Sequence, residues 1–177
     1  MKLLPKLSAL ACTIAIAGSA YAEKVELTLI DNLDGVTSSY CIDVKGGNQN
    51  VDITKGLQAH TCYSYKGALG ADQIFDTTRF ADNTLYMSEL DVCVQLESLE
   101  AGASIGLAAC DSNSLQQIAF GEDGSLRAIG APEMCLTVGA DTSFGRSKVH
   151  QIKTLSLQSC SEELSAYQLF RGRVAAD

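Results

Sequence analysis

The chain has 177 residues, with 21 acidic side chains against 13 Lys and Arg, 6% aromatic residues and no Trp. That length suits one domain. An acidic balance without a basic cluster excludes nucleic-acid binding and electrostatic attraction to an anionic membrane.

The N-terminus reads MKLLPKLSALACTIAIAGSAYAEK. Lys2 and Lys6 precede an apolar run that ends at the small-x-small site Ala20-Tyr21-Ala22, the pattern of a secretory signal peptide. The run is too short for a membrane span. Leu10-Ala11-Cys12 comes too early in it for a lipid-attachment box. Residues 1–22 are therefore expected to be removed, leaving 23–177 as one exported, soluble domain, secreted or periplasmic in a bacterial-type cell. Removal takes Lys2 and Lys6 but no acid, so the net charge moves from −8 to −10.

Removal also leaves an even set of cysteines, Cys41, Cys62, Cys93, Cys110, Cys135 and Cys160. In an exported chain such a set implies disulfides. In chain order the sequence repeats itself. Cys41-Ile-Asp-Val, Cys93-Val-Gln-Leu and Cys135-Leu-Thr-Val each read Cys, apolar, polar, apolar. Leu57 and Ala59 precede Cys62 by five and three positions, as Ile105 and Leu107 precede Cys110 and Leu155 and Leu157 precede Cys160. This period-two alternation predicts half-buried strands.

A Gln-bearing triplet follows each second cysteine: Gln73-Ile74-Phe75, Gln116-Gln117-Ile118 and Gln168-Leu169-Phe170. Turn-like stretches follow the first two, Asp82-Asn83-Thr84-Leu85 and Asp123-Gly124-Ser125-Leu126. The chain thus holds three units of roughly 35–85, 86–126 and 127–175, and internal repeats outrank local propensity in deciding a fold. The simplest pairing lies within each unit: Cys41–Cys62, Cys93–Cys110 and Cys135–Cys160. Each bond would contribute on the order of 3 kcal/mol in the chain-entropy model. No long amphipathic helix is evident. The expected fold is all-β and threefold.

Three units of Cys-x-Asp-x … Cys … Gln-x-aromatic, in phase, resemble the ricin-type (R-type) β-trefoil lectins. The resemblance spans about residues 35–175. Departures from the family pattern are the missing Trp at the end of each triplet and Ile118 in the second. The family implies a β-trefoil of three Cys-paired repeats that binds glycans without a metal or cofactor.

Alternation yields a site independently. If Ile42 and Val44 point inward, Cys41 and Asp43 point outward. If Leu57, Ala59 and Thr61 point inward, Gln58, His60 and Cys62 share the outer face. A Cys41–Cys62 bridge then draws Asp43 beside Gln58 and His60 on a shallow surface. A carboxylate that accepts from adjacent hydroxyls, an amide and a flat ring suit a neutral sugar. The resemblance implies that Asp43 binds two sugar hydroxyls, Gln58 lines the site and His60 takes the stacking position. It also implies that Asp72 adds a contact and Gln73 orients Asp43. Tyr63 and Tyr65 offer extra aromatic surface from the next loop.

The corresponding residues are Gln95, Gly106, Ala108 and Leu115 in the second repeat, and Thr137, Ser156, Gln158 and Tyr167 in the third. Neither set has a carboxylate. One sugar site, in the first repeat, is therefore expected, for galactose- or GalNAc-type glycans. Gln73, Gln116 and Gln168 are expected to hold the turn beside each disulfide. The cysteines are not a zinc site, since no tight Cys-x-x-Cys pair exists.

Gly102-Ala-Ser104-Ile-Gly106 matches the nucleophile-elbow pattern, with Asp141 and His150 following in hydrolase order. It falls within a predicted strand of the second repeat, without the alternating helices of a parallel sheet. An enzyme is not expected. Two alternatives to a free-standing lectin remain open: a protein-binding trefoil, such as an inhibitor or assembly subunit, and the cell-binding subunit of a secreted toxin. A weak single site would need an oligomer or a partner subunit for avidity.

Overall fold

The computed structural model describes residues 23–46, 51–62 and 70–174. The chain folds as three successive groups of four strands. The first holds β1 (Lys24–Leu29), β2 (Tyr40–Val44), β3 (Leu57–Thr61) and β4 (Ile74–Asp76). The second holds β5 (Tyr86–Met87), β6 (Val92–Leu96), β7 (Ile105–Ala108) and β8 (Ile118–Phe120). The third is built from β9 (Leu126–Ala128), β10 (Ala131–Val138), β13 (Leu155–Ser159) and β14 (Phe170–Val174). It carries an extra hairpin, β11 (Ser143–Phe144) and β12 (Gln151–Lys153), between β10 and β13. Among the described residues the one α-helix, α1 (Ser165–Gln168), leads into β14.

The first and last strands of each group close a ring. β1 pairs with β4, β4 with β5, and β8 with β9. The Ile118 amide donates to the Asn83 carbonyl and joins β8 to the start of β5. The Phe170 amide donates to the Gly124 carbonyl, and β14 pairs with β1 to complete the circuit. A closed barrel has no exposed edge, which removes the liability of unpaired strands. The middle strands of each group form hairpins, β2–β3, β6–β7 and β10–β13, that cap the barrel. This is a β-trefoil with pseudo-threefold symmetry.

The alternation read in the sequence explains the core. Leu27, Ile42, Phe75, Leu96, Leu136 and Phe170 are all buried, and they belong to one apolar cluster. Burying such a side chain is worth about 1.5–3 kcal/mol each, which offsets the shortage of aromatics. The two sequence-predicted turns adopt the left-handed backbone that Asn and Gly tolerate, with φ of 54° at Asn83 and 88° at Gly124. Gly56 is also left-handed, at φ 71°, and a Cβ there would come 2.8 Å from the Ile105 carbonyl oxygen. The first and second hairpins meet at that point.

All three within-repeat disulfides are formed: Cys41–Cys62, Cys93–Cys110 and Cys135–Cys160. Buried Glu26 of β1 is paired with Arg173 of β14 across the strand pair that closes the ring.

Candidate functional site

The register of β2 against β3 is the one that alternation requires. Cys41 lies opposite His60, and Asp43 opposite Gln58. Directly opposed residues of an antiparallel pair share a face. Asp43, Gln58 and His60 therefore sit together, tied to the disulfide above them.

Asp43 is the centre of the cluster. The Gln58 amide donates to its Oδ1 at 2.8 Å, and the Gln73 amide to its Oδ2 at 2.9 Å. The two amides fix the carboxylate in one orientation, with both oxygens acting as acceptors. Asp72 joins through its backbone: its carbonyl accepts from the Val44 amide at 2.9 Å. The structure thus brings Asp43, Gln58, His60, Asp72 and Gln73 into one place. Tyr63 and Tyr65 lie outside the described residues.

One expectation is corrected. The site was read as a shallow shelf, but Asp43 is only 1% exposed, His60 8%, and Asp72 and Gln73 are fully buried. Gln58 alone of these five is half-buried. The reason is that both faces of β2 are covered. Tyr40, Ile42 and Val44 enter the core on one side. On the other, the loop bearing Asp72 bonds to Val44, and the inserted third-repeat hairpin packs on β3.

That hairpin brings a residue the sequence reading did not place. Ile152 of β12 lies opposite His60, and the Thr61 hydroxyl donates to the Val149 carbonyl at 3.0 Å. The His150 ring consequently lies against the His60 ring, centroids 5.6 Å apart. The signal was present only as the second of the chain's two histidines.

His60 donates from Nδ1 to the Thr61 carbonyl at 2.7 Å, which leaves Nε2 with its lone pair. Burial holds its pKa below the ordinary 6.5. The Thr61 bond opposes that shift, the His150 ring deepens it, and Asp72 opposes it. The folded ring therefore stays neutral where the unfolded one is protonated. The unfolded chain then binds more protons, so stability falls as pH drops from about 6.5 toward the lower folded value. Melting temperatures between pH 7.5 and 5 should show this decline, and His60→Gln should flatten it.

The triplet glutamines form the same clamp in every repeat. Gln116 donates to Gln95 Oε1 at 3.1 Å and to the Ala109 carbonyl at 2.8 Å, while its own oxygen accepts from the Asp111 and Ser112 amides. Gln168 donates to Thr137 Oγ1 and the Ser159 carbonyl, both at 2.9 Å, and accepts from the Ser161 amide. In each case the amide ties the residue two after the first cysteine to the strand end before the second. The expected structural role of these glutamines is present. Gln73 is the one member whose clamp partner is a carboxylate.

Two other arrangements read from residue types have other roles in the structure. Among the described residues, Glu26, Cys41 and Cys62 have potential metal ligands close together, but both sulfurs are spent in the disulfide. In the Gly102-x-Ser104-x-Gly106 stretch, Ser104 bridges to Ser156 and donates to Glu97 at 2.5 Å. The strand runs on as β7 rather than turning into a helix, and His150 lies against His60.

Comparisons with known proteins agree with this geometry. A search of curated protein sequences finds no match. The C-terminal half of an earthworm R-type lectin, solved with GalNAc, superposes with a TM-score of 0.60 at 11% identity, covering 86% of this chain and 98% of that one. The β-trefoil lectin of Vibrio vulnificus hemolysin/cytolysin, solved with N-acetyl-D-lactosamine, gives 0.55 at 14% identity, covering 89% and 98%. The designed threefold-symmetric protein ThreeFoil gives 0.58 at 17% identity, covering 84% and 96%. At these identities the likeness is one of fold. The model of the ricin-type β-trefoil lectin domain matches residues 30–168, and the chain therefore belongs to that family.

Proposed function

We propose that the protein is an exported lectin that binds neutral, galactose- or GalNAc-type glycans at its first repeat. One observation carries the reading. Asp43, held by two amide donors, is the only carboxylate at the position filled by Gln95 and Thr137 in the other repeats. A carboxylate accepts well from vicinal hydroxyls, and the half-buried Gln58 marks the side from which a sugar approaches. His60 supplies a neutral ring beside it. The structural neighbours solved with GalNAc and N-acetyl-D-lactosamine support the sugar class.

A single site of this kind is weak, because each contact replaces a hydrogen bond to water. A millimolar Kd corresponds to about −4.1 kcal/mol. Useful avidity would come from an oligomer or from a partner subunit such as a toxin chain.

The burial of Asp43 favours a second reading, a protein-binding trefoil in which the polar cluster is scaffolding. A glycan array with the oxidised protein separates the two. Binding to galactose- or GalNAc-terminated glycans supports the lectin. A folded protein that binds no glycan supports the scaffold.

A further inference from the structure

The inserted hairpin has a second face. Tyr40 lies opposite Thr61 across β2 and β3. Because Ile152 lies opposite His60, Gln151 lies opposite Thr61, and Gln151 in turn lies opposite Phe144. Tyr40, Thr61, Gln151 and Phe144 therefore form one row across four strands, on the face away from Asp43 and His60.

A fixed polar cluster underlies this row. Lys153, its side chain 1% exposed, bonds to Asp34 Oδ2 at 2.9 Å and to the Ala140 carbonyl and Thr142 hydroxyl at 2.7 Å each. Thr142 and Tyr40 also donate to Asp34 Oδ2, both at 2.8 Å, and the Gln151 side-chain amide lies 2.6 Å from the Tyr40 hydroxyl oxygen. Every bond to Asp34 lands on Oδ2, yet the Asp34 side chain is 43% exposed. Tyr40 has one proton and gives it to Asp34, so the Gln151 amide turns its NH2 to the Tyr40 oxygen; among the described residues, Asp34 Oδ1 and the Gln151 amide oxygen then have no hydrogen-bond partner. Next in the row stands Phe144, 58% exposed.

We propose that Asp34, Gln151 and Phe144 form a second binding site, for a neutral pyranose, at the inserted hairpin and away from the Asp43 cluster. Asp34 Oδ1 accepts from one ring hydroxyl, and the Gln151 amide oxygen accepts from its neighbour. Phe144 covers the apolar C–H face of the sugar. The open carboxylate oxygen selects against acidic sugars. Lys153, Thr142 and Tyr40 fix that carboxylate before the ligand arrives, so little ordering is left for binding. No repeat motif contributes to this site. It exists because the hairpin is inserted only in the third repeat and docks on the first.

The test is an NMR titration of the oxidised protein with galactose, N-acetylgalactosamine, glucose and mannose, each at millimolar concentration. The site predicts ligand-dependent shifts at the Gln151 side-chain amide and at Thr142. These should persist in Asp43→Ala, and Phe144→Ala should weaken them by about tenfold, the scale of one aromatic contact. Phe144 is exposed, so its truncation leaves the core intact. Shifts confined to the Asp43 neighbourhood and lost in Asp43→Ala would overturn this site while leaving the first-repeat reading standing. Shifts at Gln151 alone, unchanged in Asp43→Ala, would support this site and remove the first. No shift at Gln151 with any of the four sugars, or shifts indifferent to Phe144→Ala, would overturn it.

Discussion

Asp34→Ala is expected to destabilise the protein by roughly 1–3 kcal/mol, the cost of leaving a buried donor without one of its partners. The buried donor is Lys153, whose ammonium sits within the protein at 1% exposure. Without Asp34 it keeps the Ala140 carbonyl, the Thr142 hydroxyl and the Tyr40 ring, 5.3 Å away, none of them charged. Water entering through the partly exposed Asp34 position puts the loss toward the low end of the range. The double variant Asp34→Ala/Lys153→Met should recover most of it, because methionine fills the stem without a charge. Urea unfolding of the two variants checks this.

The pH dependence has a definite sign. Hydrogen bonds from Lys153, Thr142 and Tyr40 hold the Asp34 pKa below its ordinary 3.8. Its contribution is present above that value and is lost as pH falls through the lower folded one. The penalty of Asp34→Ala should therefore shrink in strong acid. Burial, with Asp34 beside it, pushes the Tyr40 phenol up to about 12, so it stays protonated throughout.

The framework of the molecule was legible because it is repeated. Cys-apolar-polar-apolar, written three times, specified the β2–β3, β6–β7 and β10–β13 hairpins and the three disulfides. A one-residue slip would have thrown Ile42 and Leu57 out of the core, so the register of Asp43 against Gln58 was legible too. The triplet glutamines were legible as clamps for the same reason.

What repetition does not encode was missed. The β11–β12 hairpin interrupts the third unit, and its docking on β3 joins His60 to His150 across 90 positions. Without that contact β2 and β3 read as half-exposed strands, and Asp43 as a surface acid. Lys153, by residue type, belongs in solvent. Only the convergence of Asp34, Ala140 and Thr142 on one buried ammonium makes its position tolerable.

The second large effect concerns sugar binding. Hydrogen bonds to a charged group contribute roughly 1.5–3 kcal/mol each. Losing two from Asp43 should take a weak site below detection. Asp43→Asn, which keeps the shape and one carbonyl, should retain the fold and lose most of the binding.

The most direct test compares the three repeats with one another. Asp43→Ala, Gln95→Ala and Thr137→Ala remove the same position from each clamp. Their binding should be measured by titration calorimetry with N-acetyllactosamine, after matched melting curves show that all three are folded. Loss in Asp43→Ala of the first-repeat component of the heat, leaving at most the signal of the separate Phe144 site, with Gln95→Ala and Thr137→Ala binding as the unaltered protein does, is the predicted result. Equal binding by all three variants would contradict a first-repeat site.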